Sequence, residues 1–297
     1  MKRVVYSGIE GRSLGYWGLM GVLGLFILMA AGSFFFMEHS GHHATGMDNQ
    51  IVWGIPHVFA IFLIVAASGA LNVASISSVF NQKIYKPLAR MSAILALTLL
   101  AGGLAVLVLD LGRADRLVVA MTSYNFKSIF AWNIYLYTGF FVIVLTYLWT
   151  MFDPAMHKYT RTAGTAAFLW RLALTTGTGS IFGFLSARQG YDAAVMAPMF
   201  IIMSFAFGKA IFMILLIGTY RYTERSMSAD LIMRLKNLFG VFVAAVLYFT
   251  VVFHITNLYA AEHSGFERFI LIEGGIFTML FWGVQVFLGG IVPLILI

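Results

Sequence analysis

Eight long stretches of this 297-residue chain are apolar and almost free of charge. A helix needs about 20 such residues to cross a hydrocarbon core about 30 Å thick. Tyr16–Met37, Met91–Leu109 and Ser128–Phe152 carry no charged residue. Ile51–Phe80 carries His57, Ala163–Ala187 carries Arg171, and Ala193–Tyr220 carries Lys209. Asn237–Ala261 carries His254 and Phe269–Ile297 carries Glu273. In lipid a lone segment must satisfy its own backbone hydrogen bonds, which a helix does. The expected fold is therefore all-α, a polytopic membrane helix bundle with about eight transmembrane helices. Composition agrees: 61% of residues are hydrophobic and 10% charged, against about 25% charged in a soluble domain. The first stretch also admits a cleavable signal, although its apolar run exceeds the usual h-region.

Basic residues set the expected orientation, because cytoplasmic loops collect Lys and Arg. Loops 1–15, 81–90, 153–162 and 221–236 hold Lys2, Arg3, Arg12, Lys83, Lys86, Arg90, Lys158, Arg161, Arg221, Arg225, Arg234 and Lys236. The opposite loops hold Arg113, Arg116, Lys127, Arg188 and Arg268. The N-terminus is thus expected in the cytoplasm, and the net charge of +7 needs no nucleic acid to account for it. The opposite half collects His39, His42, His43, His57, His254 and His263. It also collects Glu38, Asp48, Asp110, Asp115, Asp192, Glu262, Glu267 and Glu273. Proton-handling residue types are concentrated on the extracytoplasmic half.

The chain has no cysteine. Disulfides, thiolate-ligated iron–sulfur clusters and thiol nucleophiles are excluded within it, so any iron–sulfur chemistry belongs to a partner. Two haems would need four axial histidines, and the spans hold only His57 and His254. The loops are too short for an embedded soluble domain. Residues 289–297, Gly-Gly-Ile-Val-Pro-Leu-Ile-Leu-Ile, stay apolar to the end, which suggests further helices beyond residue 297.

Ionisable residues inside a span are costly and mark candidate functional positions. His57 follows Trp53-Gly54-Ile55-Pro56. Some six residues into its stretch, it is expected roughly 9 Å below the outer surface. An imidazole there suits a quinone carbonyl and a proton relay; equally, it caps a neighbouring helix. Asp110 reads as a proton acceptor within reach of His57, or as an interfacial partner of Arg113 or Arg116. Thr175-Thr176-Gly177-Thr178-Gly179-Ser180 reads as close helix packing or as the wall of a pocket. Arg171, Lys209 and Glu273 read as the deepest charges, with proton relay and structural pairing both open. His254 reads as interfacial. His39, His42 and His43 read as a solvated loop rather than a metal site.

These residues resemble one family. Trp53-Gly54-Ile55-Pro56 leading to Ala67-Ser68-Gly69-Ala70 is similar to the opening of the quinone-site bundle in the NrfD / polysulfide reductase membrane-subunit family. Asp110-Leu111-Gly112-Arg113 resembles that family's Asp-Leu-Gly-Arg element. Asn125-Phe126-Lys127-Ser128 with Ala131-Trp132 resembles its Asn-Pro-x-Ser…Trp segment, with Phe126 in place of proline. The likeness runs from about residue 50 onward, and leans towards the longer members found in redox complexes of sulfur metabolism.

The resemblance implies two four-helix bundles behind a leading helix. Residues 1–50 would be a tail, the leading helix and a His-rich loop; 51–190 the first bundle with the quinone site; 191–297 an incomplete second bundle. It implies a bacterial or archaeal cytoplasmic-membrane subunit that exchanges electrons with menaquinone or ubiquinone, holding no haem or iron–sulfur cluster itself. It implies a ferredoxin-like iron–sulfur subunit docked at the extracytoplasmic face and a further catalytic or electron-carrier subunit. Quinone-binding expectations fall on His57, Asp110, Thr176 and Thr178. The family's tyrosine in the fourth core helix has no counterpart at the two threonines. A proton path would draw on Arg171, Lys209, Glu273 and His254. The rival reading is a secondary transporter of a small solute with Lys209 as counter-charge, although no inverted repeat is visible.

Overall fold

The computed structural model describes residues 11–297 except 49, 52, 112, 113 and 225. Its described residues form helices and no strand. The chain runs α1 (Leu14–Ser40), α2 (Ile55–Ala70), α3 (Asn72–Ser78), α4 (Ala89–Leu109), α5 (Leu117–Thr122), α6 (Ile129–Phe152) and α7 (Thr160–Gly183). It continues through α8 (Met196–Tyr222), α9 (Ala229–Tyr259), α10 (Ser264–Arg268), α11 (Ile276–Met279) and α12 (Val292–Leu296). Two π-helical segments, Phe269–Glu273 and Leu280–Ile291, join the last short helices.

Seven segments are long and apolar enough to cross a membrane on their own. The eighth expected span, α7, is also long, with 24 residues, but threonines, glycines and Arg171 dilute its hydropathy. Packing explains the difference. Buried α7 residues include Gly164, Ala167, Arg171, Leu174, Thr175 and Gly177, so this helix is covered by protein and needs no continuous apolar surface. The wide apolar exposure of α1 is the complement: none of its residues is buried, and Ser13 Oγ meets the Tyr222 hydroxyl at 2.7 Å just before its start.

Helices α2, α4, α6 and α7 pack into one group, and α8 lies against α2 and α7. Its core runs through Ile64, Leu71, Leu100, Phe140, Val144, Tyr147 and Leu174, and takes in Phe212 and Leu216 from α8. The α2–α8 contact depends on glycine. A methyl group on Gly69 would strike the Ser204 carbonyl, and one on Gly208 would strike the Gly69–Ala70 backbone. A second, smaller core of Ile181, Phe182, Ala193, Met196 and Phe253 closes the other end.

The second span is broken at Leu71, between α2 and α3. A break leaves backbone groups without intrahelical partners, and side chains take them up. Ser92 Oγ donates to the Ala70 carbonyl at 2.7 Å and accepts from the Ala74 amide at 3.0 Å. Arg171 Nη1 donates to the Ser68 carbonyl at 3.2 Å, and its Nη2 to Asn72 Oδ1 at 2.9 Å.

The alternating helices gather the described residues of 41–54, 110–128, 184–195 and 260–275 at one end of the molecule. Contacts there include Arg188 Nη2 donating to the Gln50 carbonyl at 2.6 Å and His263 Nδ1 with the Gln189 carbonyl at 2.8 Å. This is the histidine-rich end.

Candidate functional site

The sequence expects His57 a turn and a half inside its span. The structure starts α2 at Ile55 instead, which puts His57 in the first turn. Pro56 accounts for this: it favours the first positions of a helix, where its missing N–H costs nothing. The His57 amide donates to the Gly54 carbonyl at 3.1 Å.

Asp110 comes to His57 from a different helix. It caps the C-terminus of α4, where its amide donates to the Val106 carbonyl at 3.1 Å. Its Oδ2 lies 3.2 Å from His57 Nδ1. The histidine side chain is 14% exposed and the carboxylate 4%. Asp110 Oδ1 is buried and has no hydrogen-bond partner among the described residues. Of the neighbours named from sequence, Gly112 and Arg113 lie outside the described residues.

An aromatic wall surrounds this dyad. The Trp53 ring stacks on His57 with centroids 5.0 Å apart and planes 4° apart. Phe182 and Tyr191 approach Trp53 at 5.4 and 6.2 Å, and Phe200 stacks on Phe182 at 5.2 Å. Burial pushes the Tyr191 hydroxyl above its ordinary range, against the opposing pull of Arg188, so it stays a neutral donor at physiological pH. Before the wall, Asp48 closes a tight turn: its Oδ1 accepts from the Gln50 and Ile51 amides at 2.7 and 2.5 Å.

The two expected threonines part company. Thr178 is buried, and its Oγ1 contacts Asn133 Oδ1 at 3.3 Å and the Leu174 carbonyl at 2.9 Å. Tyr137 is buried on α6 one turn from Asn133, so a buried tyrosine stands on α6 where none stands on α7. Thr176 lies on the exposed face of α7 and bonds back to the Leu172 carbonyl at 2.8 Å. Thr178 is one turn from Phe182, which links it to the wall without bonding it to His57.

The four residues expected on a proton path are not brought together. Arg171 is wholly buried at the α2–α3 break, between the rings of Phe168 and Phe205 at 5.0 and 4.6 Å. Lys209 sits at the midpoint of α8; its Nζ is buried without a hydrogen-bond partner among the described residues, 6.0 Å from the Phe242 ring. Glu273 is not deep: it is half-exposed and pairs with Arg268 beside Gly274 and Gly275, where the last span breaks. His254 Nδ1 meets Glu267 Oε2 at 2.6 Å.

Reading by sequence missed Asn133, Tyr137 and Asn257 because polar residues flanked by apolar ones carry no phase of their own. The Asn125–Trp132 segment has a local structural role: Asn125 Oδ1 accepts from the Lys127 amide at 3.0 Å, and Trp132 Nε1 donates to the Phe126 carbonyl at 3.0 Å. His39 Nδ1 turns to the Phe35 carbonyl at 2.9 Å.

A family model described as polysulphide reductase, NrfD, matches residues 43–297. The chain is 29% identical, over 99% of its length and 74% of the relative's, to an Hdr-like menaquinol oxidoreductase integral membrane subunit of Archaeoglobus fulgidus. It is 25% identical, over 94% of its length and 69% of the relative's, to a putative dimethyl sulfoxide reductase membrane subunit of Halobacterium salinarum. It is 21% identical, over 96% of its length and 73% of the relative's, to a selenate reductase subunit of Mesobacillus selenatarsenatis.

Proposed function

Since the chain belongs to the polysulphide reductase NrfD family, we propose that it is the quinone-interacting membrane subunit of a multi-subunit redox complex, with its quinone site at the His57–Asp110 dyad. The observation that carries this reading is the dyad itself: a buried carboxylate with one oxygen on an imidazole and the other, Asp110 Oδ1, unpartnered among the described residues. A buried acceptor without a donor is costly, and a hydroxyl or water from a ligand would satisfy it. The relative described as a menaquinol oxidoreductase subunit points to menaquinone as the ligand. Relatives named as reductase subunits support a partner that carries electrons; an iron–sulfur subunit docked at the histidine-rich, extracytoplasmic end fits, because this chain has no cysteine.

The quinone supplies a two-electron couple. The chain's own part is to hold the ring and move a proton. With Nδ1 engaged by Asp110, His57 presents Nε2 to a quinol hydroxyl or quinone carbonyl. Nε2 accepts the proton on quinol oxidation, and Asp110 balances the imidazolium that forms. Trp53, flat against the His57 imidazole, fixes the plane of that imidazole. Thr178, hydrogen-bonded to Asn133, lies one turn along α7 from Phe182. For proton movement through the membrane, the candidate is Lys209, whose mid-span Nζ has no hydrogen-bond partner among the described residues. Lys209→Met is expected to lower the protons moved per electron; an unchanged ratio would make the residue structural.

Photoaffinity labelling with an azidoquinone in native membranes tests the site. Label is expected on peptides covering residues 51–64 and 104–118, and is expected to be displaced by excess menaquinone. Displaceable label confined to other helices would sink the assignment. The solute-transporter alternative gains no support from membership of a reductase family.

A further inference from the structure

Among the described residues, two imidazoles hold a carboxylate through Nδ1. In the first, on α2 and α4, His57 Nδ1 meets Asp110, with side chains 14% and 4% exposed. In the second, on α9 and α10, His254 Nδ1 meets Glu267 Oε2 at 2.6 Å, with side chains 14% and 0% exposed. Both sit at the histidine-rich end, and both imidazoles lie against aromatic rings. Phe253 and Phe281 approach His254 edge-on at 5.1 and 4.7 Å.

The units differ in one chemical respect. Asp110 keeps an oxygen unpartnered among the described residues. Glu267 uses both: Asn257 Nδ2 donates to Oε1 at 2.9 Å. The first unit is open to a ligand, whereas the second is closed around its carboxylate. Yet His254 Nε2 takes no hydrogen bond from any described residue, and the ring is partly exposed. A static tie between α9 and α10 would need only Nδ1. Holding Nδ1 on a carboxylate fixes the tautomer and leaves Nε2 as a base whose protonated form is balanced in place.

Other ionisable groups on the neighbouring elements are turned elsewhere. His263 Nδ1 bonds the Gln189 carbonyl at 2.8 Å while its Nε2 lies 3.6 Å from Glu262, and Arg268 pairs with Glu273. One loop ties the second unit to the first: Phe266, beside Glu267, packs on Gly190, and Tyr191 packs on the Trp53 that covers His57.

We propose that His254 and Glu267 form a second proton-exchanging site, separate from the quinone site, at which α9 and α10 take up and release protons at the histidine-rich face. The step is a simple transfer: the Nε2 lone pair accepts a proton from water or hydronium, Nδ1–H stays on Glu267, and no electron moves. The assignment does not depend on quinone binding at His57.

Hydrogen–deuterium exchange at the imidazole C2 position, read histidine by histidine by mass spectrometry on the intact complex, tests it. This exchange follows the imidazolium fraction. The profile of His254 is expected to bend to a plateau as pH rises. Glu267→Gln removes the counter-charge and is expected to move that bend to lower pH. A His254 profile without a bend, or one whose bend Glu267→Gln leaves in place, would overturn the proposal. Should the variant not assemble, the unmodified protein's profile decides alone.

Discussion

His57 and Asp110 stand 53 residues apart in sequence and 3.2 Å apart in space, because α2 begins and α4 ends at the same end of the molecule. At this scale helix phase decides what a residue can do. Thr178 and Thr176 are two residues apart yet on opposite faces. Thr178→Val is expected to cost about 1 kcal/mol by withdrawing the hydroxyl from Asn133, whereas Thr176→Val should stay within about 0.5 kcal/mol. Thermal unfolding of the two variants in detergent checks the difference. Asp48 makes a prediction about pH. The Ile51 and Gln50 amides hold its carboxyl below the ordinary 3.8. A depressed carboxyl contributes order that is present above its unfolded value and lost as pH falls through its folded value. Protection of the Gln50 and Ile51 amides is therefore expected to persist at neutral pH and to fade below 3.8; Asp48→Ala, which removes the acceptor, should remove that protection at every pH.

At the scale of the helix, close approach and repair of breaks dominate. Gly69 and Gly208 let α2 and α8 cross in backbone contact. Gly69→Leu should drive them apart at a cost of about 1–3 kcal/mol or more. Gly21→Leu on α1, with nothing within 4 Å, should leave the thermal midpoint unchanged. Arg171→Met would strip donors from the Ser68 carbonyl and Asn72, and is expected to cost about 3 kcal/mol. The existence of these helices was legible from hydropathy, since each run exceeds the length needed to span. The break at Leu71 was not, because its repair draws on Ser92 and Arg171, distant in sequence. Nor was the shallow position of Glu273: Gly275, at φ +58°, turns the chain where an unbroken helix would have buried that residue. Glu267 read as one of several loop acids, and only the fold of α10 against α9 encloses it.

At the scale of the molecule, charge asymmetry between its two ends remains the basis for orientation in the membrane. Because the chain lacks cysteine, single cysteines report topology directly. A cysteine replacing His43 is expected to react with an impermeant maleimide from the extracytoplasmic side, and one replacing Lys158 only after the membrane is opened. The reverse pattern would invert the proposed orientation and place the dyads on the cytoplasmic side. The pairing of His57 with Asp110 was readable in outline, since a histidine and an aspartate at the same ends of successive spans can meet. Its aromatic wall was not, because Phe182, Tyr191 and Phe200 come from segments that converge only in the folded bundle.

The central claim is that the His57–Asp110 dyad handles the quinone's proton, and the most direct measurement is quinol oxidation by the intact complex carrying Asp110→Asn. The asparagine keeps the size of the side chain but cannot balance an imidazolium. Turnover is expected to fall by about 100-fold or more, with assembly of the complex intact. Turnover equal to that of the unmodified complex would contradict the account and leave the dyad a structural pair.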